Sequence, residues 1–438
     1  MRFPFDSLAL PVVLIGCPDP GTPVEDSGSP VSRNVLMISV DTFRRDSMAR
    51  YGNAGGLTPF LDSLAERSLV LDQHSSCSNW TLEAVLCATN GRYSADFDYV
   101  ARVSPDYRQV VPARPSLASW LHDAGYYTIL LTSNGWLENE WHHDDGYDVA
   151  THVNIPSAPV VWARGYEHLE HALESEGADR WFLHLHFNDP HAAYDPPDEY
   201  LEDLQALEGI DWDLTQYDEH EQARFLLGAM PEEERDLVLE HLHVRYRGEI
   251  AWFDQQLSQV FDEISQAGLL EDTLVVLWSD HGEQTYERER WGHAFQLHPE
   301  ETAAFAMFAS PDIEPGSWTE PTQHIDIAPT VLDLLGIETP AEVTGVPVGL
   351  ADPERTLLHL SLGQLGPQLR ASRGVLHMYN GFTSGDLTVF DAEADPDEVE
   401  DIRDLDDAAQ AALWTQLEAY AQQIEPLIPE YERGELEL

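Results

Sequence analysis

The sequence predicts an α/β protein with a mostly parallel central sheet, helices on both faces of that sheet and a small C-terminal α+β subdomain. The run Thr273–Ser279 is apolar without alternation, which is typical of a strand buried on both faces. Similar runs alternate along the chain with segments of helical periodicity, as expected for βαβ units. The composition changes near residue 345, where we expect the smaller unit to begin.

Four buried strands are expected, and each is followed at once by polar side chains. The strands are Asn34–Val40, Tyr127–Thr132, Trp181–Phe187 and Thr273–Ser279. The polar residues that follow them include Asp41, Asn134, His191, Asp280 and His281. Because open α/β sheets bind their ligands at the carboxyl ends of the strands, we expect these side chains to form one site.

Helical patterns fill the segments between the strands. Thr58 and Pro59 are a cap and first-turn pair, and another helical pattern stops at Gly125. An apolar stripe of helical period leads into the last strand, and it consists of Ile250, Phe253, Leu257, Val260 and Ile264. The pattern therefore places helices between successive strands of the sheet.

Two segments depart from this alternation. Residues 200–247 are acidic and have a helical pattern, and we expect them to form an insertion whose histidines His220, His241 and His243 lie on the surface. Residues 346–438 are expected to form the C-terminal subdomain, with short strands at about 375–378 and 387–390. An amphipathic helix should follow, with Leu413, Leu417, Tyr420 and Ile424 on its apolar face.

The charge of the chain limits its partners. The net charge is −56, and all 23 basic residues are arginine. A surface this negative disfavours nucleic acid and acidic membranes as partners, so no nucleic-acid partner is expected. A site that handles anions would need cations of its own.

The N-terminus resembles a bacterial lipoprotein signal. A short apolar run in residues 1–17 ends in a small residue followed by Cys17, which is the pattern of a lipobox. Residues 18–33 are rich in proline, glycine, serine and acid, and we expect a flexible linker there. This interpretation places the protein in a bacterial cell envelope, in contact with the membrane only through a lipid on Cys17. The alternative is a ragged start on a cytoplasmic protein.

The polar residues at the strand ends fit a divalent metal ion. Such an ion needs three or four carboxylate or imidazole ligands and an open position, and Asp41, Asp280 and His281 supply three. Thr81 lies at the expected start of a helix, where the helix dipole favours an alkoxide, so it is the candidate nucleophile. The alternative is that Thr81 only caps the helix.

Several motifs then occur in an order that resembles the sulfatase family of the alkaline phosphatase superfamily. They include the segment from Asn34 to Asp46, the Gly91-Arg92-Tyr93 triplet, the segment from Ser279 to Glu283 and the Trp291-Gly292-His293 triplet. The resemblance covers about residues 34–400. It implies an alkaline phosphatase-like fold with a catalytic domain at 34–345.

The resemblance also assigns roles to individual residues. Asp41, Asp280 and His281 become ligands of one divalent metal ion (Ca, Mn or Mg), and Thr81 falls on the nucleophile position. Four further side chains are expected at the transferred group or the leaving group: Asn134, Arg44, His191 and His293. Two histidines of the third strand, His184 and His186, are expected to be structural.

The chain departs from the sulfatase pattern at its most specific point. Sulfatases that act on sulfate esters carry Cys-x-Pro-x-Arg, or the same motif with Ser in first place, and convert its first residue to formylglycine. Here the aligned residues are Thr-Leu-Glu-Ala-Val at 81–85, so that modification is not expected. Thr42 also stands where the family has a second aspartate.

The departures indicate which reaction to expect. A hydrated formylglycine releases sulfate by elimination, whereas an adduct on threonine must be displaced by water or an alcohol, which phosphoryl groups tolerate well. We therefore expect a metal-dependent hydrolase of sulfuric or phosphoric esters that favours hydrolysis or transfer of phosphate mono- or diesters. The substrate would be a small-molecule, glycan or lipid-head-group ester. Two alternatives are a catalytically degenerate binding protein for an anionic glycan or lipid head group, and a sulfatase that uses another route.

Overall fold

The computed structural model describes residues 34–96, 114–137, 142–154, 157–201, 204, 207–362, 368–381, 387–403 and 407–424. The expected signal at 1–17, its lipid attachment site Cys17 and the linker at 18–33 lie outside these ranges. Within them, no helix combines the length and the apolar character that crossing a membrane requires.

Sixteen strands occur in the described ranges: β1 (Asn34–Val40), β2 (Leu69–Leu71), β3 (His74–Ser75), β4 (Tyr127–Thr132), β5 (Val149–His152), β6 (Trp181–Phe187), β7 (Thr273–Ser279), β8 (Gln284–Thr285), β9 (Trp291–Gly292), β10 (Ala306–Ala309), β11 (Gly316–Trp318), β12 (Thr322–Gln323), β13 (Leu357–Ser361), β14 (Gln368–Arg373), β15 (Leu376–Gly381) and β16 (Leu387–Asp391). The α-helices of the same ranges are α1 (Pro59–Ala65), α2 (Thr81–Asn90), α3 (Leu117–Asp123), α4 (Ala158–His171), α5 (Tyr217–Leu226), α6 (Glu232–Gln266), α7 (Pro299–Thr302), α8 (Ile327–Leu334) and α9 (Ala408–Ile424).

The central sheet has eight strands in the order β11-β2-β10-β7-β1-β6-β4-β5. Strands β7, β1, β6, β4 and β5 are parallel to one another, and β10 is antiparallel to both of its neighbours. All residues of β1, β6 and β7 are buried, which explains why these strands are apolar without alternation. The predicted fold class, a mostly parallel sheet, is confirmed.

Helices cover both faces of the sheet, as predicted. Successive residues of each central strand point to opposite faces, so the sheet contributes to two separate apolar cores. Leu36 and Ile38 of β1 pack in a core with α1, α4 and α6, whereas Val35 and Met37 pack in a second core with α2, α3 and α8. Helix α2 therefore lies against one face of the sheet.

Helix α6 corrects the prediction for residues 200–247. The structure has a single helix of 35 residues that runs from this acidic segment through the apolar stripe at 250–264. His220 and His241 are buried, so the expectation that they lie on the surface was wrong, whereas His243 is exposed. His220 packs edge-on against Tyr194, and this aromatic contact explains its burial.

The C-terminal subdomain is a four-stranded antiparallel sheet in the order β13-β14-β15-β16, with α9 packed on it. The sequence analysis found the regions of β15, β16 and α9 but missed β13 and β14. Leu82 and Leu86 of α2 share a core with this sheet and with Leu417 of α9. The helix that carries Thr81 is therefore held between the two units.

Candidate active site

Thr81 is the first residue of α2, and its hydroxyl lies in the middle of the predicted site. Its Oγ1 is 3.4 Å from Oδ2 of Asp41 and 3.5 Å from Nε2 of His281. Nδ2 of Asn134 lies 3.4 Å from the same hydroxyl and donates a 2.6 Å hydrogen bond to Asp41. The ends of three strands and the start of one helix therefore meet at one hydroxyl.

The two aspartates reach this point because β1 and β7 are neighbours and end together. The backbone N–H of Asp280 donates to the carbonyl of Val40, which continues the ladder past the last paired residues. Oδ1 of Asp280 accepts hydrogen bonds from the backbone N–H groups of Thr42 (3.1 Å) and His281 (2.6 Å). These bonds orient the second oxygen, Oδ2, towards the other polar groups of the site.

The two buried carboxylates differ in how their negative charge is stabilised. Oδ2 of Asp280 is fully buried and has no hydrogen-bond partner among the described residues. Burial raises the pKa of Asp280 well above its usual value, and the neighbouring Asp41 raises it further. Burial alone would also raise the pKa of Asp41, but His191, His186 and His281 outweigh it and hold that pKa well below its usual value.

A divalent cation fits this arrangement. Ligand atoms of Asp41, His186 and Asp280 all lie within 4.8 Å of one another. Nε2 of His281 is 3.7 Å from Asp41 and 3.6 Å from Asp280, so a second imidazole flanks the same carboxylates. Two carboxylates with imidazole nitrogens are a suitable donor set for a divalent metal ion.

His186 is the site residue that the sequence analysis missed. Its Nδ1 is 2.8 Å from the Ser39 hydroxyl, and its Nε2 is buried, 3.6 Å from Oδ2 of Asp41, without a hydrogen-bond partner among the described residues. The expectation that His186 is only structural is therefore not supported. His184, in contrast, is bonded at both ring nitrogens, to Ser39 and Tyr147, and burial lowers its pKa to about 3.

His191 and His293 lie on the side of the site that is accessible to solvent. Both are partly exposed, whereas Thr81 is only 2% exposed. The ring of His293 is 5.1 Å from the ring of His191 and 4.6 Å from that of His281, measured between centroids. Burial alone would lower the pKa of His293, but Glu283, 3.3 Å from Nδ1, outweighs it and raises that pKa.

Arg44 is held by two carboxylates and one backbone carbonyl beside the site. Its guanidinium donates to Asp46 (2.6 Å), Glu287 (2.5 Å) and the carbonyl of Glu283 (2.9 Å). Since Glu283 also contacts His293, Arg44 supports the residues around the site, and within the described ranges it forms no ion pair with Asp41 or Asp280. The structure thus places the expected metal, nucleophile and leaving-group residues together, whereas Arg44 contacts the carbonyl of Glu283.

Buried groups fix the loops that carry these residues. The Tyr246 hydroxyl of α6 donates to the carbonyl of Thr42 (2.7 Å), which adopts a positive φ of 51° directly after Asp41. The carboxylate of Glu301 accepts a hydrogen bond from Asn79 (2.7 Å), two residues before Thr81. A Cβ at Gly282 would lie 2.1 Å from the carbonyl oxygen of Glu300, so only glycine permits this close approach beside His281.

Comparison with known proteins agrees with this geometry. A sequence profile of the family described as Sulfatase matches residues 33–337, which is more than half of the chain. The chain belongs to the sulfatase family. Its members include metal-dependent hydrolases of sulfate esters, and Asp41, His186 and Asp280 of this chain form a group that could hold a metal ion.

Individual relatives differ in how much of the chain they match. The choline-sulfatase of Rhizobium meliloti (strain 1021) is 27% identical over 270 residues, which cover 57% of this chain and 46% of that enzyme. The chain thus matches about half the length of that relative. The protein BT4656, solved in complex with its substrate D-glucosamine-2-N,6-O-disulfate, is 14% identical with a TM-score of 0.69 over 90% of this chain and 98% of that one.

A phosphonate monoester hydrolase from Silicibacter pomeroyi has the same fold. The two chains are 18% identical, with a TM-score of 0.63 over 89% of this chain and 94% of that one. Identities this low show the shared fold and leave the reaction to be argued from the site.

Proposed function

We propose that the protein is a metal-dependent hydrolase or transferase of phosphate mono- or diesters with Thr81 as its nucleophile. The observation that carries the proposal is the position of the Thr81 hydroxyl, 3.4–3.5 Å from Asp41, His281 and Asn134 at the start of α2. A hydroxyl that only caps a helix bonds to backbone N–H groups of the first turn, and Thr81 makes no such contact among the described residues.

The chemistry follows from what each side chain can do. Asp41 and Asp280, together with His186 and His281, would hold the metal ion. That ion would neutralise the two carboxylates and lower the pKa of a coordinated hydroxyl. Once its proton has passed to solvent, Thr81 Oγ1 would form the bond to phosphorus as the bond from phosphorus to the leaving oxygen breaks, and the Asn134 amide orients the attacking oxygen.

The leaving group needs a proton, and His293 can supply it. Glu283 raises the pKa of His293 and so favours its protonated form, and the partly exposed ring lies on the solvent side of the site. The second step is attack on the Thr81 adduct by water or by an acceptor alcohol. Because the adduct has no elimination route, this step favours phosphoryl over sulfuryl esters.

The experiment is a substrate panel on the metal-reconstituted protein. It comprises 4-nitrophenyl phosphate, bis(4-nitrophenyl) phosphate, a phenylphosphonate ester and 4-nitrophenyl sulfate, each with Mn²⁺, Mg²⁺ or Ca²⁺. We expect turnover of at least one phosphorus ester. Thr81→Val should lower it by roughly 10³-fold or more, because the bond-forming oxygen is removed, while metal binding persists.

A matched control is available on the same helix. The hydroxyl of Thr89 bonds to the carbonyl of Val85 (2.8 Å) inside α2, so Thr89→Val removes a hydroxyl from the helix without touching the site. Unchanged turnover in Thr81→Val would rule out Thr81 as the nucleophile. Preferred turnover of the sulfate ester would support the sulfatase reading instead.

The alternative function, an anion-binding protein without turnover, is supported by one observation. Val85 stands where the sulfatase motif has arginine and the guanidinium of Arg44 is paired with Asp46 and Glu287, so neither position offers a free cation to stabilise the charge that develops in a transition state. This alternative predicts metal-dependent binding of the same esters with no product under any condition of the panel.

A further inference from the structure

A second polar cavity lies between the main domain and the C-terminal subdomain. Its volume is about 600 Å³, and it shares no residue with the candidate active site. Five basic side chains line it: Arg45, His74, Arg355, Arg370 and His377. Among the described lining residues, Glu393 is the acidic one, and it is exposed. This concentration of arginine contrasts with the net charge of −56 for the whole chain.

Arg370 is a buried cation whose Nη2 lies 3.0 Å from Nδ1 of His377, and that imidazole in turn pairs with the buried carboxylate of Glu398, so the guanidinium has no direct carboxylate partner within the described ranges. It is 4% exposed, and its Nη1 donates to the carbonyl of Leu297 (2.9 Å) and to the hydroxyl of Thr302 (2.7 Å). Its Nε is buried and has no hydrogen-bond partner within the described ranges. Burying a guanidinium in this way is costly unless an anion compensates its charge.

Arg45 of the main domain also lines the cavity. Its Nη1 contacts only backbone carbonyls, those of His74 (3.1 Å) and Asp72 (3.4 Å). In the described part of the chain, no carboxylate lies within ion-pair distance of Arg45 or Arg370. Burial lowers the pKa of Arg45, Tyr51 and Asp46 raise it in part, and the positive charge of Arg370 lowers it again. Arg45 and Arg370 line the same cavity, so an anion bound there would compensate the charge of both guanidinium groups.

The remaining basic residues complete the lining. Nδ1 of His74 is 2.9 Å from the Thr322 hydroxyl, whereas its Nε2 is buried without a partner among the described residues. When Nδ1 accepts from that hydroxyl, Nε2 carries the proton and is a free donor. Arg355 is bound to Asp326, and it supplies a guanidinium whose charge is already shared.

We propose that this cavity is a binding site for a sulfate or phosphate group, separate from the site at Thr81. Arginine guanidinium groups match the geometry of tetrahedral oxyanions, and a neutral histidine adds one more donor. A volume of about 600 Å³ is within the range of small-molecule sites, so the group can be a free inorganic anion or an ester on a sugar-sized molecule.

Such an anion would connect the two units of the chain. Arg45 and His74 belong to the main domain, and Arg370 and His377 belong to β14 and β15 of the C-terminal sheet. Binding should therefore raise the melting temperature by holding these units together. The proposal does not depend on any reaction at Thr81.

The test measures anion binding to the full chain in the Asp280→Asn background, in which the metal site is disabled. Sodium sulfate, sodium phosphate, glucosamine 6-sulfate and glucose 6-phosphate are titrated calorimetrically at constant ionic strength set with sodium chloride. The variants are Arg45→Gln and, as a matched control, Arg50→Gln. Arg50 pairs with Asp72 close to Arg45 but does not line the cavity.

We expect at least one probe to bind, with affinity reduced about tenfold or more by Arg45→Gln and unchanged by Arg50→Gln. Binding of the inorganic anions identifies a free oxyanion as the ligand, whereas binding of the esters alone identifies an organic ester. Absence of binding for all four probes, or equal affinity in the two variants, would overturn the proposal. Circular dichroism of each variant shows that it is folded.

Discussion

The candidate active site and the arginine-lined cavity gather charges of opposite sign in the same acidic chain. At the carboxyl edge of the sheet, Asp41 and Asp280 bring two buried carboxylates together, and among the described residues no arginine pairs with them. In the cavity, Arg45 and Arg370 supply two positive charges, and within the described ranges neither guanidinium has a carboxylate at ion-pair distance. Because like charges lie close together in each site, each site indicates a ligand of the opposite charge. That ligand is a divalent metal ion at the carboxylates and an oxyanion at the arginines.

The difference in their surroundings shows how each site is built. The acidic pair is fixed by backbone hydrogen bonds at the ends of adjacent strands, which leaves little freedom to separate the charges. The two arginines come from different units of the chain, and their positions depend on how the C-terminal sheet packs on α2. The acidic site should therefore be rigid and the basic site sensitive to subdomain packing.

The largest effect is expected from Asp280→Asn. Asparagine keeps an oxygen that can accept from the N–H groups of Thr42 and His281, but it removes one of the two metal-binding charges. We expect turnover to fall by roughly 10³-fold or more and metal binding to be lost, as measured by steady-state kinetics and calorimetry with Mn²⁺. Oxyanion binding in the arginine cavity should not change, and a loss of both would break the comparison.

The same variant should change stability with opposite signs in the two metal states. The pKa of Asp280 is raised in the folded chain, so stability of the metal-free protein falls as pH rises above the unfolded pKa of about 3.9. At neutral pH, metal-free Asp280→Asn should therefore melt at a higher temperature than the metal-free parent. With metal added, the parent should be the more stable of the two. Thermal melts of the parent and the variant, with EDTA and with added metal, show which of the two is more stable in each state.

His186→Asn is expected to have the next largest effect. Asparagine removes the buried Nε2 that lies beside Asp41, and metal affinity should fall by about 10- to 100-fold. His184→Asn is a suitable comparison, because both ring nitrogens of His184 already have partners and neither lies at the carboxylates. An equal loss of affinity in both variants would mean that His186 acts only through packing.

A smaller effect is expected from Glu283→Gln on the pH profile. Glu283 raises the pKa of His293, and a proton donor loses activity as pH rises through its pKa. The alkaline limb of kcat/KM should therefore move to lower pH in this variant, because the charge that raises the pKa of His293 is removed. An unchanged alkaline limb, together with a normal rate at the optimum, would remove His293 from the role of proton donor.

The smallest effect is expected from Arg44→Gln. Its guanidinium is bound to Asp46 and Glu287 and contacts the carbonyl of Glu283, so the change should lower kcat/KM by no more than about threefold through loosened packing. A large rise in KM would instead assign Arg44 to the substrate, as the sequence resemblance implies.

Much of the acidic site could be predicted because strand ends are visible in the sequence. Asp41, Asn134, His191 and Asp280 each follow an apolar run, and the carboxyl ends of parallel strands lie at one edge of a sheet. His186 was missed because it lies inside β6 on the same face of the sheet as His184, so the sequence pattern does not separate the two histidines. Only the register, which pairs His186 with Ser39 of β1, shows that it reaches the site.

The rest depends on packing between distant segments. Helix α6 was divided in the sequence analysis because its first half is acidic and only its second half has an apolar stripe, although one helix carries both. The arginine cavity has no local pattern, because Arg45, Arg355 and Arg370 lie far apart in the chain. Short strands such as β10 and β11 carry too few residues for a periodic signal.

The most direct test of the central claim is the anomalous scattering of Mn²⁺ in a crystal of the full chain. The account predicts one strong peak within coordination distance of Asp41, Asp280 and the Thr81 hydroxyl, with at least one imidazole in the same coordination sphere. A peak elsewhere, or a metal ion at the two carboxylates with Thr81 Oγ1 directed away from it, would contradict the account.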